Sequence, residues 1–303
     1  MEYRRLPLEG LSNARDLGGY PVKGGGATSF RRFIRCEAPR DITDGDIDFL
    51  REYGVTVSID FRGDSEIERH PSRLANVQGI EYRRCVTFDK QVAFSSGQAS
   101  KDARPAEESK PAEEKRPAEA SKPADEDKPT EDARPAEASK PADEGKPAEE
   151  KRPAMDAFVD WGEKYIEIVE NSRGWIRDTL GIMAAADGAV LFNCATGKDR
   201  TGVISALLLG IAGVAGTDIV ADYCVSELYL KPLYEELLAG FLAKWPDEKA
   251  DIKSPFFRTD PVNMETLLRY IYETHDGVEG FIKSCGVDDA VTAALRKKLV
   301  VQC

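Results

Sequence analysis

Nine prolines, at positions 105, 111, 117, 123, 129, 135, 141, 147 and 153, recur at an interval of six residues. No other feature of this chain limits its fold as strongly. Each proline follows Lys or Arg and precedes Ala, or in one case Thr130, and an acidic residue comes next wherever the repeat continues. A proline at this spacing stops a helix before two turns are complete. Its ring removes an amide donor and disfavours helical geometry in the residue before it. Every apolar residue between Lys101 and Ala154 is an alanine. Such a stretch buries too little surface to offset the entropy of ordering it. Residues 101–154 are therefore expected to form a disordered, partly polyproline-like insertion. A spacer expanded by repeat slippage is the simplest reading, and an arm that binds an unknown partner is the alternative.

The flanks have different chemistry. Residues 1–100 and 155–303 are rich in Leu, Ile, Val and aromatics, and they read as two parts of one domain. Loop closure cost grows only logarithmically with length, so one surface loop can carry the insertion. The chain has 303 residues and a formal charge of −12, which argues against a nucleic-acid backbone as partner. No apolar run reaches the roughly 20 residues that span a bilayer, so no integral membrane segment is expected. No apolar stretch follows Met1–Arg5, so cytoplasmic location is expected, with non-classical secretion as the alternative. The six cysteines show no Cys-x2-Cys spacing and there are two histidines, so neither a disulfide framework nor a His-rich metal site is expected.

Strands are expected at Phe30–Cys36, Val55–Phe61, Ile80–Phe88 and Ala189–Phe192. Helices are expected at Thr43–Tyr53, Met155–Asn171, Gly174–Ala186, Thr201–Ala212, Thr217–Leu228, Leu233–Lys244, Asn263–Thr274, Gly277–Ser284 and Asp288–Val300. Strands alternating with helices, followed by a helical run, predict an α/β domain with a central, mostly parallel sheet flanked by helices.

The most informative segment is Asn193-Cys194-Ala195-Thr196-Gly197-Lys198-Asp199-Arg200-Thr201-Gly202. An apolar strand leads into Cys194, a tight turn follows, and an apolar helix begins near Arg200. The turn's backbone amides converge above the cysteine, and the helix N-terminus adds partial positive charge. That environment favours the reactive thiolate and binds a dianion. Arg200 can close on the same anion through two hydrogen bonds, and the Thr201 hydroxyl can face the sulfur. A nucleophile and a phosphate cradle in one loop imply attack of sulfur on phosphorus through a phosphocysteine intermediate.

This Cys-x5-Arg loop resembles that of the protein tyrosine phosphatase superfamily, and within it the atypical bacterial branch of tyrosine, dual-specificity and lipid phosphatases. Cys194, Gly197, Lys198, Asp199, Arg200, Thr201 and Gly202 match that branch. So do Asn13-x-Arg15-Asp16-Leu17-Gly18-Gly19, Arg35-x-Glu37, Asp60-x-Arg62 and Ala221-Asp222-Tyr223. The resemblance covers the chain outside the repeat. It implies a phosphatase that needs no metal or cofactor and acts on a phosphoprotein or phosphoinositide. Cys194 is then the nucleophile, and Arg200 with residues Ala195, Thr196, Gly197, Lys198 and Thr201 binds phosphate. The leaving oxygen needs an acid. Asp89 stands where the branch carries one, and Asp199 is the second candidate. Lys198 would serve either an extra substrate phosphate or the Asp199 charge.

Asn193 departs from the branch, which has histidine before the nucleophile. It can donate a hydrogen bond but carries no charge, which leaves open a weakened, phosphate-binding pseudophosphatase scaffold. Arg15, Asp16, Asp60 and Arg62 are expected to form one buried ionic network holding the loop. Trp161, Trp175 and Tyr165 are expected in the core, and Cys36, Cys85, Cys224 and Cys285 as small apolar fillers. Deleting residues 101–154 should leave a single cooperative urea transition with an essentially unchanged midpoint. A split or lost transition would show that the repeat is part of the fold.

Overall fold

The computed structural model describes residues 4–87, 159–247 and 250–301. The repeat, Asp89 and the first residues of the helix expected from Met155 lie outside them. In chain order the first flank gives β1 (Arg15–Asp16), β2 (Ala27–Thr28), β3 (Phe33–Cys36), α1 (Asp44–Tyr53), β4 (Val55–Asp60), α2 (Asp64–Arg69) and β5 (Glu81–Arg84). The second gives α3 (Trp161–Asn171), α4 (Arg173–Ala185), β6 (Ala189–Asn193), α5 (Asp199–Ala212), α6 (Gly216–Lys244), α7 (Pro261–His275), α8 (Val278–Ser284), α9 (Asp289–Leu299) and β7 (Val300–Val301).

Five strands form the main sheet in the order β1-β3-β6-β4-β5. The β3–β6, β6–β4 and β4–β5 pairs are parallel, and β1 runs antiparallel to β3. The second flank thus supplies β6, which sits between two strands of the first. Its five residues are all buried, as expected of a strand covered on both faces. Side chains alternate between two cores with the period of two that a strand imposes. Ile34 and Leu191 pack with Ile47 and Leu50 of α1. Phe33, Val190 and Phe192 pack on the opposite face with α3, α4, α5, α7, α8 and α9.

Helix α5 is buried at every position but one, which accounts for its small and apolar composition. Thr43 caps α1 through a reciprocal pair of bonds with Asp46, and Gly54 ends it in the left-handed region at φ 97°. Two expectations change. The strand expected at 80–88 reads from its sequence as a buried one, but it is a short strand at the sheet edge, Glu81–Arg84, with mostly exposed side chains. The helices expected at 217–228 and 233–244 are one helix, α6, which runs through Pro232. Proline costs a helix one hydrogen bond and a steric contact. Here both halves are anchored: Ile219 and Tyr223 enter the main core, while Leu230 and Tyr234 join Phe257 in a satellite cluster. Among the described residues no helix is long and apolar enough to cross a membrane.

Candidate active site

The segment between β6 and α5 is held from behind. Asn13 Nδ2 donates to the carbonyls of Thr196 (3.0 Å) and Gly197 (3.3 Å). Arg35 Nη2 donates to the carbonyls of Gly197 (2.7 Å) and Lys198 (3.3 Å), and the Ala38 amide donates to Ala195 O (3.1 Å). Four successive carbonyls, those of residues 195 to 198, are thus taken by protein donors. Among the described residues the amides of Ala195, Thr196, Gly197 and Lys198 donate to no protein acceptor, so they are left for a ligand. Gly197 has φ 67°, and a Cβ there would lie 2.2 Å from Cys36 O, so only glycine fits the turn.

The donors behind the loop are fixed in turn by Asp222 of α6. Arg15 Nε bonds Asp222 Oδ1 (2.9 Å), Arg35 Nη1 bonds Asp222 Oδ2, and Tyr20 Oη donates to Oδ1 (3.0 Å). Burial alone would raise the Asp222 carboxyl, but the two guanidinium groups overcome it and hold the carboxyl well below the ordinary range. The expected single network is therefore two or more separate ones. Asp16 accepts instead from the amides of Gly18 and Arg31 and from Tyr53 Oη. Asp60 grips Arg62 and Tyr82. Arg35 and Asp222, not Asp60 and Arg62, carry the tie to the loop. A sequence places these partners on separate elements and does not show which pairs meet.

Cys194 is 2% exposed at the base of a cavity of about 510 Å³. Arg200 closes that base. Its Nη1 and Nη2 bond Glu66 of α2 at 2.9 and 2.7 Å, and Nη1 also reaches Phe61 O (3.1 Å). This fork against a carboxylate fixes the guanidinium plane and leaves Nε buried without a partner. The Thr201 hydroxyl is buried and unpartnered as well. Sequence reasoning missed Glu66; an acidic residue in a helix after β4 carries no signal of its partner.

Asp199 opens α5 and lines the same cavity. Its Oδ1 accepts from Tyr165 Oη (2.6 Å) and lies 3.7 Å from Lys198 Nζ. Tyr165 and Tyr223 share a further hydrogen bond of 2.8 Å. Lys198 Nζ donates to the carbonyls of Phe256 (2.8 Å) and Arg258 (3.3 Å) and lies 4.8 Å above the Trp161 ring. It ties the 194–200 loop to the 256–258 turn. Trp161, expected only as core, is buried yet also forms cavity wall with Leu233, Leu237 and Phe256. Asn193 Nδ2 donates to Cys194 O (3.3 Å), and its Oδ1 is buried without a partner. Of the candidate residues, Asp89 alone is outside the described residues.

The chain matches the model of the tyrosine phosphatase family over residues 6–301. It belongs to that family. A tyrosine-protein phosphatase of Nostoc commune is 34% identical over 144 residues, covering 46% of this chain and 48% of the relative. A Cupriavidus necator protein that also carries the name tyrosine-protein phosphatase is 28% identical over 223 residues, covering 73% of this chain and 62% of the relative. The chain thus spans about half to three-fifths of these two relatives' lengths.

Removing the Asp222 carboxylate leaves two buried cations uncompensated. Asp222→Ala should lower unfolding free energy by about 3–5 kcal/mol in urea titrations. Because folding depresses this carboxyl, its stabilisation is complete above the unfolded value near pH ~4 and is lost as the pH falls below it. The gap in stability between the wild type and Asp222→Asn should therefore narrow below about pH 4, as read from denaturation midpoints.

Proposed function

We propose that the chain is a cysteine-dependent phosphomonoesterase acting on aryl phosphates, phosphotyrosine in particular. One observation carries this reading. Four unpaired amides, the Arg200 Nε and the Thr201 hydroxyl are all donors without acceptors, and all belong to the loop that begins at Cys194 or to the start of the helix after it. Unmet donors gathered at a helix N-terminus suit a tetrahedral dianion.

In the first step the Cys194 thiolate attacks phosphorus, the ester P–O bond breaks, and the leaving oxygen takes a proton from Asp89 or Asp199. In the second, water attacks the phosphocysteine, the S–P bond breaks, and the same carboxylate takes the water's proton. The loop supplies the transition state with fixed dipoles and the Arg200 guanidinium. Trp161, Leu233, Leu237 and Phe256 give it an apolar wall that suits a phenyl ring. The names of the two relatives agree with that substrate. Lys198 is engaged by two carbonyls, so a phosphoinositide with extra phosphates is the less favoured substrate. A phosphate-binding scaffold without turnover is the remaining alternative, because Asn193 offers the loop no charge.

Hydrolysis of nitrophenyl phosphate should be abolished by Cys194→Ser and blocked by vanadate. Phosphotyrosine should be cleaved faster than phosphoserine or inositol phosphates. Retained phosphopeptide binding without turnover would instead support the scaffold. If Asp89 is the acid, Asp89→Asn should slow poor leaving groups by about 10²–10⁴-fold and nitrophenyl esters much less. Asn193→His should raise the rate of Cys194 alkylation at neutral pH; identical rates would remove Asn193 from any account of thiolate reactivity.

A further inference from the structure

Among the described residues a further unmet donor lines the cavity, and it comes from neither the Cys194–Arg200 loop nor the helix behind it. Tyr234 sits in α6, two residues after Pro232, and its side chain lines the cavity that contains Cys194 and Arg200. The residue is 2% exposed, and its hydroxyl is buried without a hydrogen-bond partner. Its ring is locked by Phe257 at a centroid distance of 5.0 Å and by Leu230. The phenol oxygen lies close enough to the Thr196 side chain for a loose contact from that hydroxyl, short of a well-formed hydrogen bond, and the phenol's own proton is left without an acceptor. Asp199 and Cys194 are within its electrostatic reach.

A buried hydroxyl that bonds nothing costs about 1–3 kcal/mol, so such a group is explained when a ligand completes it. Rotation about the C–O bond lets the proton point wherever an acceptor arrives. The acceptor that fits this cavity is the oxygen of a phosphoryl group above Cys194. We propose that Tyr234 is a substrate-binding residue, whose hydroxyl donates a hydrogen bond to an oxygen of the phosphoryl group held by the Cys194–Arg200 loop.

Burial, with the Asp199 carboxylate adding to it, pushes the phenol well above its ordinary value. The hydroxyl therefore keeps its proton at working pH and serves as a neutral donor, not as an acid. Helix α6 then contributes to recognition twice. Leu233 and Leu237 border the space for the substrate's apolar part, and Tyr234 reads its phosphate. The same helix carries Asp222, whose partner Arg35 bonds the carbonyls of Gly197 and Lys198.

This inference rests on the phosphatase reading above, and the experiment separates the two. Tyr234→Phe removes the hydroxyl and keeps the ring. With an unmet polar atom gone, the thermal midpoint without ligand should stay level or rise. Inhibition constants for inorganic phosphate and vanadate, and KM for nitrophenyl phosphate, should rise by roughly ten-fold, the loss of one good hydrogen bond. The thermal shift that vanadate gives the wild type should shrink correspondingly. Tyr234→Leu, which also empties the ring site, should lose both stability and phosphate affinity. A Tyr234→Phe variant that binds phosphate and vanadate as the wild type does overturns the proposal while leaving the phosphatase reading intact. So does a variant whose midpoint falls with its affinity, because the hydroxyl then serves the fold. Wild-type protein that neither hydrolyses nitrophenyl phosphate nor binds vanadate overturns both.

Discussion

The site depends on one buried carboxylate. Asp222 lies between two guanidinium groups, those of Arg15 and Arg35, and Arg35 passes that order on to the carbonyls of Gly197 and Lys198. A buried ion pair is weak evidence of net stability, because desolvation offsets most of the attraction. Its value here is directional. A peptide group that bonds backwards through its carbonyl presents its amide forwards. Asn13, Arg35 and Ala38 together turn a run of peptide planes in one sense, which makes the cradle we propose for an anion. An apolar replacement of the trio could equal it in stability and would still lose the cradle.

The same logic extends outward from the loop. Arg200 is set by Glu66, Asp199 by Tyr165, and Lys198 by the Phe256 and Arg258 carbonyls and the Trp161 face. These three loop side chains are thus held by groups from α2, α3 and the turn before α7. Catalytic geometry tolerates little slack, and such supporting contacts are what hold it. The loop is short, but its shape is written across most of the chain.

That distribution explains what the sequence reveals and what it hides. Cys194, Arg200 and the helix after them were legible because they are close in sequence and their spacing alone implies a strand, a turn and a helix. The parallel sheet was legible from the β-branched run at Val55–Asp60 and the apolar run at Ala189–Asn193. Glu66 and Tyr234 were not, because each meets the site only through tertiary packing, from a helix with no motif of its own. Pro232 misled the reading: a local rule predicts a break, and packing on both halves of α6 overrides it. Arg15 and Arg62 look equivalent in a sequence, since both stand near an aspartate. One braces the loop and the other closes on its own neighbour.

The placement of β6 between β3 and β4 has a consequence for how the chain is made. A ribosome releases β3 and β4 early, and the strand that joins them follows about 130 residues after β4. At ordinary elongation rates of ~5–20 residues per second that gap lasts on the order of ten seconds. Throughout it, two apolar strands have unpaired edges facing each other across a missing partner, the state in which nascent sheets aggregate. The stretch from 101 to 154, which emerges within that interval, is charged, proline-punctuated and free of large apolar residues. It has nothing with which to occupy those edges in place of β6.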